Sequence, residues 1–126
     1  MNTLLLIRGL PGSGKTSLAK RLKDYYIHCE TDQFWGIDYN FDITKIKEAH
    51  EWCQKKVREE LENGFSVVVS NTFTTQKEMQ PYFDMAKELN ASVQVVLCQG
   101  NFGSVHNVPQ EALDRMKARF EYEINF

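Results

Sequence analysis

Cysteine and proline are scarce in this chain of 126 residues, with three of each. The cysteines, Cys29, Cys53 and Cys98, are odd in number, far apart and without a Cys-x-x-Cys pair. That argues against a zinc frame or disulfide framework and for reduced core thiols of a cytosolic protein. No Pro/Gly/Ser-rich linker, repeat or low-complexity tract divides the sequence, so residues 1–126 are expected to form one domain. No long apolar run is present either: residues 4–7, with Met1 nearby, give way at once to Arg8 and glycines. This is too short for a signal peptide or membrane span, and a cytoplasmic chain is expected. Nor is there an excess of one charge. Fifteen basic against 17 acidic residues leave a net charge of −2, which excludes a strongly basic nucleic-acid platform while leaving room for a local basic groove. What the chain does have is 42% apolar residues, enough for a packed core.

The apolar run 3–7, ending at Gly9, reads as a buried strand. Leu18, Ala19 and Leu22 then recur at helical spacing, giving a helix over 15–23. Residues 25–29 form a second strand candidate, and 36–42 an aromatic, turn-rich loop. Over 44–62, Ile46, Ala49, Cys53, Val57 and Leu61 make a helical stripe that Asn63-Gly64 stops. Residues 65–69 read as a strand. Thr75 and Glu78 suggest a capping box for a helix carrying Met79, Phe83, Ala86 and Leu89, with a kink or later start at Pro81. A strand over 92–98, a glycine-containing loop over 99–107 and a helix opened by Pro109, with Leu113, Met116 and Phe120, complete the chain. This alternation predicts a three-layer α/β sandwich with a small, mainly parallel sheet of about four strands.

Residues 9–16 read Gly-Leu-Pro-Gly-Ser-Gly-Lys-Thr, the pattern of a phosphate-binding loop. Chance produces it in roughly one chain of this length in a few hundred. Its position, after an apolar strand and at the opening of a helix, is the one the chemistry needs. Gly9, Gly12 and Gly14 let the backbone curl and aim N–H groups inward as an anion cradle. The helix beginning at Lys15 adds the positive end of its dipole. Lys15 is expected to reach the β- and γ-phosphates and the Thr16 hydroxyl to ligate magnesium. Gly9, Pro11, Gly12, Ser13, Gly14, Lys15, Thr16 and Ser17 are the expected nucleotide contacts, with ATP ahead of GTP as ligand.

The segment 6–16 resembles the P-loop kinase family that includes polynucleotide 5′-hydroxyl kinases and their AAA-like ATP-binding relatives. Further matches run in order: Glu-Thr-Asp-Gln-Phe (30–34), Glu-Ala-His-Glu-Trp-Cys (48–53), Val-Val-Ser-Asn-Thr (68–72), Glu-Met-Gln-Pro-Tyr (78–82) and His-Asn-Val-Pro (106–109). The resemblance implies a P-loop NTPase fold of the kinase type. It makes Asp32, just past the second strand, the general base that deprotonates an accepting hydroxyl. On the residues alone, Asp32 also suits a magnesium-bound water or a turn cap. Asn71 and Thr72 match the family's pair that contacts the acceptor or the magnesium waters, and they equally suit an Asx or Thr turn.

Two departures bear on catalysis. The acid that usually ends the third strand is missing, with Ser70 and Asn71 in its place, and Phe73 stands where relatives commonly carry Asn. The lid segment 99–107 is short and has neither Lys nor Arg to neutralise a transferring phosphoryl group. Arg115 and Arg119, one turn apart on the last helix, are candidate substitutes for phosphate contact, as is Arg8; the same two arginines suit a solvated helix face. His106 is a candidate phosphate donor or a turn residue. Phe34, Trp35, Tyr39 and Phe41 follow Asp32 and could stack on a base or plug the core.

Two functions fit. One is a phosphotransferase moving the γ-phosphate of ATP, with magnesium, to a hydroxyl on a nucleic-acid 5′ end, nucleoside or other small acceptor. The other is a nucleotide-binding module, with weak or no transfer, that acts through a protein partner. No membrane partner is expected, and the acidic balance disfavours a stand-alone nucleic-acid binder.

Overall fold

The structure, a computed structural model, describes residues 2–103 and 108–125. Four strands, β1 (Thr3–Arg8), β2 (Ile27–Cys29), β3 (Val67–Ser70) and β4 (Ser92–Leu97), form one sheet in the order β2-β3-β1-β4, with every pair parallel. Helices α1 (Lys15–Arg21), α2 (Ile46–Glu62), α3 (Gln76–Glu88) and α4 (Gln110–Arg119) alternate with them. The α/β fold expected from the alternation is the one observed.

Alternation along β1 explains the layers. Leu4 and Leu6 join Val67 and Val69 on the face covered by α2 and α3, where Cys53, Val57, Met79 and Phe83 pack. Leu5 and Ile7 join Val68 on the opposite face, against Ala19, Leu18 and Leu22 of α1. Because both faces are covered, β3 is buried throughout, which is why it reads as an unbroken apolar run. Each of its valines contributes about 1.5–3 kcal/mol by leaving water.

The elements are shorter than expected at several ends. The second strand starts at Ile27 because the amides of Tyr25 and Tyr26 both turn back to the Leu22 carbonyl, leaving Tyr25 exposed. The third starts at Val67, since the Phe65 amide closes onto Glu60 at the end of α2. Helix α3 starts at Gln76 and runs through Pro81, so the later start is not seen. The bond that Pro81 forfeits is to the carbonyl of exposed Lys77. Thr75 caps α3 by accepting from the Glu78 amide. The Glu78 carboxylate does not reciprocate to Thr75; it takes the amide and hydroxyl of fully buried Thr74, at 3.0 and 2.6 Å.

Arg8 ends β1 with only 1% of its surface exposed. Its Nε and Nη2 donate to the Phe73 carbonyl at 3.0 and 2.7 Å, Nη2 also donates to the Thr74 carbonyl, and the guanidinium lies 4.4 Å from the centre of the Phe120 ring. Segment 119–121 closes over it: Arg119 Nε donates to Thr74 Oγ1 and the Glu121 amide to the Thr74 carbonyl. A buried charge is costly unless its donors are satisfied, and these carbonyls take Nε and Nη2.

Candidate functional site

Parallel pairing brings the carboxyl ends of the strands to one edge, the place where ligands bind in open α/β sheets. Ile7 of β1 is level with Ser70 of β3, and Cys29 of β2 with Val69. Gly9, Glu30, Asn71 and Cys98 therefore leave the sheet side by side.

The segment 9–14 is fastened by the Gly9 amide to the Thr72 carbonyl and by the Ser13 amide to the Leu10 carbonyl. A side chain at Gly9 would place its Cβ 2.5 Å from both the Cys98 carbonyl and Ser13 Oγ. Gly12, with φ of 79°, faces the Gly103 carbonyl, and the Phe102 amide donates to the Gly12 carbonyl at 2.8 Å. The loop after β4 thus lies on the loop after β1. Ser13 Oγ is buried without a hydrogen-bond partner among the described residues, an orphan donor inside a cradle of amides.

Residues 12–18, Arg21, Phe102 and Gly103 line a cavity of about 640 Å³, a size suited to a small ligand. A larger hollow of about 900 Å³ lies open between the start of α3 and residues 121–123. It has no glycine loop and is lined by side chains of mixed charge. Lys15 Nζ donates to the Leu10 carbonyl at 3.0 Å. Burial lowers the Lys15 amine below its ordinary value, and the charges of Cys98, Glu30 and Asp32 act against that.

Thr16 opens the first turn of α1, and its Oγ1 donates to Glu30 Oε2 at 2.9 Å. The same oxygen accepts from Ser70 Oγ at 2.7 Å and lies 3.4 Å from His28 Nε2. His28 Nε2 is also 2.8 Å from Ser70 Oγ. Burial raises the Glu30 carboxyl, but hydrogen bonds from His28, Ser70 and Thr16 outweigh it and hold the group below its ordinary value.

Asp32 lies on a short 3-10 turn, Thr31–Trp35, directly after β2. Asp32 is exposed, and its Oδ1 accepts from the Tyr39 hydroxyl at 3.1 Å. Burial and the Asp32 charge push the Tyr39 phenol well above its ordinary value. Asn71 Oδ1 accepts from the Thr31 amide at 2.9 Å, tying the ends of β2 and β3 together, while Thr72 offers its carbonyl to Gly9. Trp35 is buried and packs edge-on against Phe34 and Phe41; Phe34 also meets Trp52 of α2. The cluster is thus a plug at its centre, with Ile37, Phe41 and Ile43 left exposed around it.

The structure separates the other arginine candidates from the loop. Arg119 is turned to Thr74, Arg8 is held by backbone carbonyls, and neither they nor Arg115 line the cavity. The arginine that does is Arg21, which sequence reasoning missed although it falls four residues after Ser17, one helical turn along α1. Glu30, which the sequence reading did not single out, meets Thr16 and Ser70 at the same edge. His106 lies outside the described residues, as do residues 104–107 of the lid segment.

A glycine loop between a buried central strand and a helix, opening on the carboxyl edge of a parallel sheet, defines a P-loop domain of the kinase type. The chain belongs to the AAA_33 family (AAA domain), whose match spans residues 4–102. It is similar to human NEDD4-binding protein 2, with 37% identity over 91 residues, covering 68% of this chain but only 5% of that protein. Its fold is similar to that in the structure of a Pnkp1/Rnl/Hen1 complex, at a TM-score of 0.67 and 18% identity, over 99% of this chain and 41% of the other. It is similar as well to the Mycobacterium tuberculosis APS kinase CysC in complex with AMPPNP and APS, at a TM-score of 0.57 and 18% identity, over 90% and 67% of the two chains. Among the described residues no helix is long and apolar enough to cross a membrane.

Proposed function

We propose that this chain binds ATP with magnesium and transfers the γ-phosphate to a hydroxyl. The observation that carries this reading is that Asp32, on the turn that follows β2, and the loop 9–16, which follows β1, leave the same edge of one parallel sheet. The amides of 9–14 and the Ser13 hydroxyl suit phosphate oxygens. Lys15 neutralises phosphate charge, and Arg21, at the cavity wall, supplies the second cation that the lid segment does not. Asp32 accepts the proton of the attacking hydroxyl, and the Tyr39 hydroxyl orients that carboxylate.

Magnesium fits the residues present. It takes oxygen ligands, keeps several waters and needs only one or two protein groups beside the phosphates. Thr16 offers a hydroxyl, and no cluster of three or more His, Cys, Asp or Glu is required or found among the described residues. When bound, magnesium withdraws charge from the phosphate oxygens. ATP is placed ahead of GTP because the similar APS kinase holds an adenine nucleotide analogue. A nucleic-acid 5′ end leads the acceptor classes, since a similar structure belongs to an RNA repair complex. Nucleosides and small molecules follow.

A second reading, a nucleotide-binding module working through a protein partner, is favoured by the absence of any cation in the described part of the lid segment, residues 99–103. One experiment separates the two. The protein is incubated with γ-labelled ATP and a panel of 5′-hydroxyl oligonucleotides, nucleosides and metabolites. Transfer predicts a labelled product that falls about 100-fold or more in Asp32→Asn. Binding without any labelled acceptor selects the module. Lys15→Ala should abolish ATP binding by calorimetry, and unchanged affinity there would overturn both readings.

A further inference from the structure

We propose that Glu30, at the end of β2, is the carboxylate that positions magnesium beside the loop, replacing the acid that Ser70 displaces at the end of β3. The inference rests on the proposed nucleotide site and assigns the one role that site leaves unfilled.

The register makes the replacement possible. Cys29 and Val69 are level, so Glu30 and Ser70 are the next pair along two neighbouring strands. Strands lie about 4.8 Å apart, a gap that a glutamate side chain can bridge. It does so: Ser70 Oγ donates to Glu30 Oε2 at 2.7 Å, which brings the carboxylate over the serine hydroxyl. An acid has been moved one strand sideways and its reach lengthened to compensate.

Thr16 supplies the second argument. A hydroxyl that ligates a metal through a lone pair keeps its proton, which then needs an acceptor. Here that acceptor is Glu30 Oε2, at 2.9 Å from Thr16 Oγ1. Accepting this proton orients the threonine, and it also brings a full negative charge next to the ion. Asp32 makes no comparable bond to Thr16 among the described hydrogen bonds; its Oδ1 takes the Tyr39 hydroxyl, toward the proposed acceptor side. Ser70 and Thr16 both donate to Glu30 Oε2, and His28 Nε2 lies 3.4 Å from it, so the carboxylate is held in place beside the threonine hydroxyl.

A purely structural tie between β2, β3 and α1 would predict that Glu30 affects folding alone, so the deciding readout is the linkage between magnesium and nucleotide. ATP affinity is measured by calorimetry in EDTA and in saturating Mg²⁺, with Mn²⁺ binding to the protein–ATP complex followed by paramagnetic resonance. Wild type should bind ATP more tightly with the metal. Glu30→Gln, which keeps shape and one acceptor oxygen but not the charge, should lower Mn²⁺ affinity about 10- to 100-fold, with affinity in EDTA undiminished. The exchange variant Glu30→Ser with Ser70→Asp should recover the linkage. Metal linkage in Glu30→Gln equal to wild type overturns the proposal, as does wild-type ATP affinity indifferent to metal. If Glu30→Gln fails to fold, the exchange variant decides: restored linkage supports the proposal and lost linkage overturns it. Absence of ATP binding by wild type both in EDTA and in saturating Mg²⁺ would instead overturn the nucleotide site itself.

Discussion

At the level of a single residue, burial and hydrogen bonding pull Glu30 in opposite directions, and hydrogen bonding prevails. Its proton is therefore bound less readily in the folded chain than in the unfolded one. A depressed carboxyl adds stability above its unfolded value and loses it as pH falls through the folded value. We expect the urea midpoint to fall as the medium is acidified below the ordinary carboxyl value of 4.5. In Glu30→Gln that fall should be shallower. Asp42, held low by hydrogen bonds from Thr44, contributes in the same window, so the informative quantity is the difference between variants. Equal slopes would mean that the three donors do not favour the charged carboxylate. At the opposite extreme, burial pushes the Cys29 thiol up to about 12, which leaves it protonated and inert, in keeping with the sequence reading of a core cysteine.

Between elements, the loop after β4 rests on the loop after β1. Gly12 has a left-handed φ of 79°, and a Cβ there would come within 2.4 Å of the Gly103 carbonyl. Gly12→Ala should therefore cost about 1–3 kcal/mol in urea unfolding and weaken ATP binding. A fully stable variant with intact binding would show that the two loops do not press together. The glycine spacing made the first loop legible in the sequence, because each glycine answers a local backbone demand. Its partner was legible only as a glycine-containing loop, since contact between loops distant in the chain leaves no periodicity to read. The same reason hides the role of Glu30 and the bond of Asn71, since their contacts to Thr16, Ser70 and Thr31 run between separate elements. The stripe on α2 was legible because one sheet face buries Ala49, Cys53, Val57 and Leu61 together. Strand ends were blurred where exposed aromatics, Tyr25 and Phe65, continue an apolar run beyond the pairing.

Over the whole molecule, a ligand that binds only the folded chain must stabilise it. ATP with magnesium at about 100 times Kd should add about 2.7 kcal/mol, or roughly 10 °C in Tm for a chain of this size. Scanning calorimetry should show that shift in wild type and none in Lys15→Ala. Arg8 has a different bearing on the molecule as a whole. Its guanidinium is sealed by Phe120, and segment 119–121 bonds to Thr74 beside it. These partners lie far apart along the chain, so on a ribosome the strand carrying Arg8 emerges many seconds before its cover. Until residues 119–121 have been synthesised and released from the exit tunnel, that end of β1 keeps a hydrated charge. The strand carrying Arg8 is therefore made well before its cover can close on it.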